Sequence, residues 1–432
     1  MNDRGRWMAY SVGLFLMIVL LGGILIKNII DRALYNYFPD RGVARINIDL
    51  NGVTLSEIKE GPKDIKYKGN DLQIYDNEEI LRYRGVEIKG RGNLSWDQPK
   101  KSYQITFSKS TQLFDLGKTK KWILLANYLD GSYIRNDAAF VFADMLGMKY
   151  NNLGKFVEVY FNNEYEGLYY LIEKIEISKA SVDIREDDGL LFELDNLHND
   201  GNCYWTYAGN CLILKDYNDS GDVIKNVGAF IDVFNRFEIA AEKGDYETIK
   251  NLIDVKSFAE FFLVSEFAVD PDAYSSSFYL YQDGKNNKIY AGPVWDFDLA
   301  FGNKDWRWGQ IWDDFYSPSE DMVRKKEAFG EGGLMEDLSI ARIFYYLMEI
   351  SDFKDEVLKI FNQKISGRKI EYLTILYERL NDIQKSAEVD VRKWDKKQFQ
   401  SEKEEMKDWV KRRFEHFELQ YGWHGANYIN SL

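Results

Sequence analysis

With 432 residues, the chain is long enough for more than one domain, or for one large bilobed unit with additions. Aromatic residues make up 16% of it, a folded rather than a disordered composition, and a net charge of −14 disfavours nucleic acid and anionic lipid as partners. The three histidines, His198, His416 and His424, sit in no recognised motif, which argues against a histidine-based triad or a histidine-rich zinc site.

Residues 1–6 form a short tail carrying Arg4 and Arg6. Residues 7–26 are 20 consecutive uncharged positions ending at Lys27, enough for a helix of about 30 Å. Gly22-Gly23 runs straight into Ile24-Leu25-Ile26 with no small-x-small cleavage site. The expectation is a retained transmembrane signal anchor over 7–27 and a juxtamembrane linker over 28–43. Arg4 and Arg6 favour a cytoplasmic N-terminus, against Lys27, Arg32, Arg41 and Arg45 on the other flank. This predicts a single-pass protein of the cell membrane with its main domain outside the cytoplasm.

Alternating patterns predict strands at 44–50, 87–89, 102–107 and 121–126. Residues 135–148 have helical spacing, with Ala139, Phe142 and Leu146 on one face and Gly147 near the end. A hairpin over 156–161 and 166–172 turns at Asn162-Asn163, and strands follow at 189–194 and 211–215. Cys203 and Cys211 flank Ala208-Gly209-Asn210, which can turn a hairpin. They form either a disulfide, as an oxidising compartment permits, or two buried thiols. Helices are expected at 222–243, 246–253 and 255–269, and in the charged tail at 339–362, 370–393 and 402–420.

Between the two helical stretches lies EFAVDPDAYSSSFYLYQDGKNNKIYAGPVWDFDLAFGN, residues 266–303. Residues 278–281 and 288–291 suit two strands joined at Asp283-Gly284. A hairpin brings its ends together, so Asp272 approaches Asp296 and Asp298, with Asp270 close by. Converging carboxylates repel unless a proton or a metal neutralises them; otherwise these acids simply cap turns and face water. A base Asp, a short hairpin and a metal-binding Asp beside Phe is also an order used for phosphoryl transfer. Trp295 and Phe297 should alternate into the core and aim Asp296 and Asp298 outward. Upstream, Gly90-Arg91-Gly92-Asn93 is either a plain strand-end turn or an anion-binding turn in which glycines admit a phosphate and Arg91 adds charge. Lys100 and Lys101 begin the next strand, and only one of the two can enter a cleft. Asp130 can cap the helix at 135, and that role suffices by itself; Arg135 can instead reach a phosphate.

These segments resemble the CotH kinase family, the spore-coat-type atypical protein kinases. The resemblance rests on Asp272-Ala273-Tyr274, the aromatic strand, the Gly292 to Asp298 block and Phe301-Gly302-Asn303. It also rests on Gly90 to Asn93, Ser95-Trp96 and Lys100-Lys101-Ser102-Tyr103, on Trp122 to Asn127 with Asp130, Ser132 and Arg135-Asn136, and on FVEVYFNNEYEGLYYLIE ending at Glu173. It covers roughly 44–303, in the family's order. It implies ATP with Mg2+ or Mn2+, and a Ser or Thr acceptor on a coat or envelope protein. Asp272 is the implied base. Asp296, then Asp298, are the implied metal ligands, with Ser277 where ordinary kinases carry a metal-binding Asn. Gly90, Arg91, Gly92, Asn93, Lys101 and Arg135 are the implied nucleotide contacts, with Glu173 pairing Lys101 or Arg91.

The resulting expectation is an α+β, bilobed atypical protein-kinase-like fold, β-rich first and helical last. The anchor precedes a kinase domain over 44–330 and a helical extension over 331–432. The alternative is a non-catalytic envelope assembly or carbohydrate-binding module with a structural cation. A glycosidase using a carboxylate pair is a third reading, without a supporting motif.

Overall fold

The computed structural model describes residues 17, 19–23, 25–26, 37–184, 189–197, 202–217, 223–270, 273–284, 287–303, 339–396 and 398–422. Of the expected anchor, only Met17, 19–23 and 25–26 belong to this set; they are helical, and Leu20, Leu25 and Ile26 are exposed. Among the described residues no helix is long and apolar enough to cross a membrane.

Period-two alternation builds the first body. Strands β1 (Ala44–Asp49), β2 (Tyr67–Asp76), β3 (Glu79–Arg91), β4 (Ser102–Gln112), β5 (Lys118–Leu125), β6 (Lys155–Phe161) and β7 (Glu164–Glu173) close into a barrel ordered β1-β2-β3-β4-β5-β7-β6. All pairings are antiparallel except β1 with β6, where Ala44 faces Val157. Inward residues such as Ile46, Ile74, Ile88, Ile105, Trp122 and Val159 fill the interior. The β2–β3 hairpin turns on Asn77 and Glu78, both at positive φ. The strand expected at 87–89 is only the far end of β3, because register shifts at Tyr67/Asn70 and Asn70/Leu72 and the exposed Leu81 interrupt the period-two pattern of this pair.

Short helices α1 (Leu55–Glu60) and α2 (Leu94–Asp97) decorate the barrel, and α3 (Arg135–Leu146) leaves it between β5 and β6. Helix α3 was expected to have one apolar face, yet every residue but Asp144 is buried. It ends at Leu146, short of the expected 148, with Gly147 capping it at φ +80°.

The second body is a sheet ordered β12-β11-β8-β10-β9, from β8 (Leu190–Leu194), β9 (Tyr204–Trp205), β10 (Cys211–Tyr217), β11 (Phe278–Gln282) and β12 (Tyr290–Ala291). The β11–β12 hairpin is the expected one, with Leu280 facing Ala291, and β11 lies against β8, with Tyr279 facing Glu193. Cys203 and Cys211 are joined as a disulfide, Cα atoms 5.0 Å apart. Helices α4 (Val223–Glu242), α5 (Tyr246–Leu252) and α6 (Val255–Ala268) pack on this sheet; Asp245 and Asp254 cap the last two.

The tail forms α7 (Ser339–Glu349), α8 (Ser351–Lys364), α9 (Lys369–Asp382), α10 (Gln384–Trp394) and α11 (Phe399–Tyr421). Two predicted helices are therefore four: Ile350 is extended and breaks one, and Ile383 divides the other without glycine or proline to announce it. These helices are integral to the core. Tyr372 donates to Ala138 O at 2.9 Å, Arg413 pairs with Glu266 at 3.0 Å, and Phe414 and Phe417 pack on Phe267.

Candidate active site

A cavity of about 510 Å³ opens between the end of the barrel and the second sheet. Its walls come from the 90–93 turn, the end of β5, Asn136 of α3, strands β8 and β10, and both ends of the β11–β12 hairpin.

The acidic wall is held by its backbone. Trp295 and Phe297 are buried and Asp296 and Asp298 half-buried, the alternation expected; both acids line the cavity, and so does Trp295. Asp296 adopts φ +73° and Ser277 φ +56°, left-handed conformations that cost a non-glycine residue of order 1 kcal/mol and gather at functional sites. The Ser277 hydroxyl donates to Asp296 Oδ2 at 3.2 Å. Asn136 Oδ1 accepts from Phe297 N at 2.8 Å, and Asn303 Nδ2 donates to Asp298 O at 2.8 Å and Leu129 O at 3.0 Å. The two acids are thus pinned from α3 and from the β5 exit. Asp272 lies outside the described residues; Asp270, before it, is buried.

The opposite wall is the 90–93 turn. A Cβ on Gly90 would lie 2.5 Å from the Trp96 ring, and Gly92 sits at φ +94° with Ser95 Oγ filling its side-chain position. Both glycines are therefore required by packing, whatever else the turn does. Arg91 lines the cavity with its guanidinium 4.7 Å from the centre of the Trp295 ring. Lys63 donates to Gly92 O at 3.0 Å and Asn93 Oδ1 at 2.5 Å, so it braces the turn.

Three expected contacts are placed differently. Neither member of the lysine pair lines the cavity. Lys101, just before β4, donates through Nζ to Trp96 O and lies over that indole at 5.1 Å. Lys100 is fully buried, 2.9 Å from Asp390 Oδ1, and burial lowers its pKa against the opposing pull of Asp390. Glu173 pairs with neither Lys101 nor Arg91. Its Oε1 accepts from Gly117 N at 2.6 Å, its Oε2 is buried without a hydrogen-bond partner, and desolvation raises its pKa. Arg135 is also withdrawn. Its Nη1 bonds Asp130, its Nε donates to Ala300 O at 3.0 Å, and Asp130 caps α3 through Arg135 N at 2.9 Å. It clamps the segment after Asp298 instead of reaching a phosphate.

Glu193, Asp195, Lys215 and Tyr279 also line the cavity, and no motif in the sequence singles them out. Only strand patterns marked their region, and a period-two pattern does not say which cavity a face meets.

For a divalent cation, Asp296, Asp298 and Ser277 present hard oxygen donors to one space. Among the described residues no group of three or more His, Cys, Asp and Glu could hold a metal. The donor set present fits Mg2+ or Mn2+ whose remaining ligands are phosphate oxygens and water, the usual manner for Mg2+.

A family model described as CotH kinase protein matches residues 88–417. The chain belongs to the CotH kinase family. The match runs beyond the hairpin through α10 and most of α11, so the tail is part of the family's common region. A comparison with curated proteins gave no match. Among solved structures, the Helicobacter pylori proinflammatory kinase CtkA is similar at 8% identity, over 68% of this chain and 94% of that one. Its TM-score of 0.25 is too low to carry an argument. Family membership supports a kinase-like enzyme, for which ATP and a divalent metal are the general requirement.

Proposed function

We propose that the chain transfers the γ-phosphoryl group of ATP to a Ser or Thr hydroxyl of a coat or envelope protein. The observation that carries this reading is the cavity between the two bodies. It joins the 90–93 turn to Asp296, Asp298 and Ser277 within the region matched by the family. The acceptor oxygen attacks the γ-phosphorus in line, the bond to the β,γ-bridging oxygen breaks, and ADP departs. Asp272 takes the hydroxyl proton, while Asp296 and Asp298 hold the divalent cation that neutralises charge on the phosphates.

The anchor over 7–27 keeps this domain at the cell membrane on its outer side. The uncharged run of residues 7–26, the exposed apolar side chains of its described part and the Cys203–Cys211 disulfide support that placement.

The test is labelling of a Ser/Thr substrate with γ-labelled ATP by the parent, Asp272→Asn and Asp296→Asn. Both variants should lose transfer, Asp296→Asn with weaker metal–nucleotide binding and Asp272→Asn with binding kept. The parent should gain about 2.7 kcal/mol of stability at 100 times the dissociation constant of magnesium–ATP. Full labelling by both variants refutes the assignment. A parent that neither binds nor labels with any divalent cation favours the assembly module.

A further inference from the structure

Phosphoryl transfer needs a cation on the nucleotide phosphates, held in place by a carboxylate. With Lys100 and Lys101 outside the cavity, that role lacks an occupant from the lysine pair. We infer that Lys215 of β10, oriented by Glu193 of β8, is the cation that contacts the nucleotide phosphates. This rests on the kinase reading above and supplies the pair that reading requires.

Three observations converge on it. Lys215 Nζ stands 2.6 Å from Glu193 Oε2, and both line the cavity that holds Asp296 and Asp298. The acid is nearly covered while the lysine is 37% exposed, so the carboxylate is fixed and the ammonium remains open to a ligand. Second, the β10–β8 register shifts between Leu214 and Asp216, which makes Lys215 the extra residue of a β-bulge. Bulges occur beside active sites because they re-aim one side chain. Third, Glu193 faces Tyr279 across β8 and β11, and Tyr279 lines the same cavity. Arg91 of the turn wall and Asp296 of the acidic wall line that cavity with the pair. The other lysines on this cavity are committed elsewhere: Lys63 to the 92–93 turn, and Lys89 to Asp64 at 3.2 Å on the rim.

Nothing in local sequence pairs Lys215 with Glu193. They belong to adjacent strands joined through the disulfide-closed β9–β10 hairpin. Glu193 is a positioning residue and Lys215 the binding one.

The experiment uses the full chain and measures affinity for magnesium–ATP and for adenosine, which lacks phosphate. Lys215→Met should weaken ATP binding roughly tenfold to hundredfold, the range for losing a charge-assisted contact, and leave adenosine affinity unchanged. Lys215→Arg should restore part of the loss. Glu193→Gln should weaken ATP binding less than Lys215→Met and in the same direction. In the parent, magnesium–ATP should slow acetylation of Lys215, read by peptide mapping, more than that of Lys101. Equal loss of ATP and adenosine affinity means a structural lysine and overturns the assignment. So does unchanged ATP affinity in Lys215→Met, or an unprotected Lys215 if that variant does not fold. These outcomes leave the kinase reading standing, whereas a parent without nucleotide affinity removes both.

Discussion

Removing the Lys100 ammonium should destabilise the protein strongly and leave its nucleotide affinity intact. Lys100 and Asp390 are both fully buried, with Nζ and Oδ1 2.9 Å apart. Lys100 also donates to Leu168 O at 2.5 Å and lies 4.5 Å from the Tyr169 ring centre. Asp390 accepts from Leu168 N and from the Tyr133 hydroxyl, each at 2.7 Å. In Lys100→Met the carboxylate stays in the core without its cation. Breaking a buried pair from one side costs about 3–5 kcal/mol. With a urea m-value of about 3 kcal/mol/M, the unfolding midpoint should fall by about 1–1.7 M. The assay is equilibrium unfolding followed by tryptophan fluorescence. The double variant Lys100→Met/Asp390→Leu removes both charges but orphans the Leu168 N–H and the Tyr133 hydroxyl, at about 1–3 kcal/mol each. It should therefore cost less than the sum of the single variants, by about 2 kcal/mol or more. A loss below about 1 kcal/mol for Lys100→Met refutes the packing argument. An ATP affinity that falls while stability holds returns Lys100 to the nucleotide site.

Burial raises the Glu260 carboxyl to about 7, with Lys256 at 3.1 Å opposing the shift. From about pH 4.5 to 7 the folded chain keeps a proton that the unfolded chain has released, so this residue lowers stability as pH rises through that window. Glu260→Gln should match the parent near pH 4 and exceed it by about 1–3 kcal/mol at pH 8, measured by unfolding at both pH values. Equal stabilities at pH 8 refute the shift. Replacing the disulfide with Cys203→Ser and Cys211→Ala should cost about 2.5 kcal/mol, the loop-closure value for so short a ring. Peptide mapping without reductant should find the Cys203–Cys211 bond in protein from an oxidising compartment, and two free thiols refute it.

What the sequence by itself determined is local. Alternation marked most barrel strands because a pleated chain must send every second residue to the core. Turn chemistry placed the β11–β12 hairpin, and the same alternation buried Trp295 and Phe297 and left Asp296 and Asp298 half-buried. Asp130, Ser132 and Arg135-Asn136 were also visible as a group, though the choice between a cap and a phosphate contact was left open. Tertiary structure settled it, because Ala300 O and Phe297 N arrive at Arg135 and Asn136 from more than 160 residues away. The lysine pair shows the same limit. Period two says that Lys100 and Lys101 face opposite ways, but not that Asp390 waits in the core for one and the Trp96 carbonyl outside for the other. Glu193 and Lys215 are the converse case: two ordinary strand residues until a bulge in β10 and the pairing of β8 with both β10 and β11 aim them into the cavity. Breaks at Ile350 and Ile383 carry no helix-ending residue and come from where the helices must turn to cover α3 and α6. Local steric and periodic preferences are written residue by residue, while the partner of a buried charge is chosen by which distant segment the closed core brings beside it.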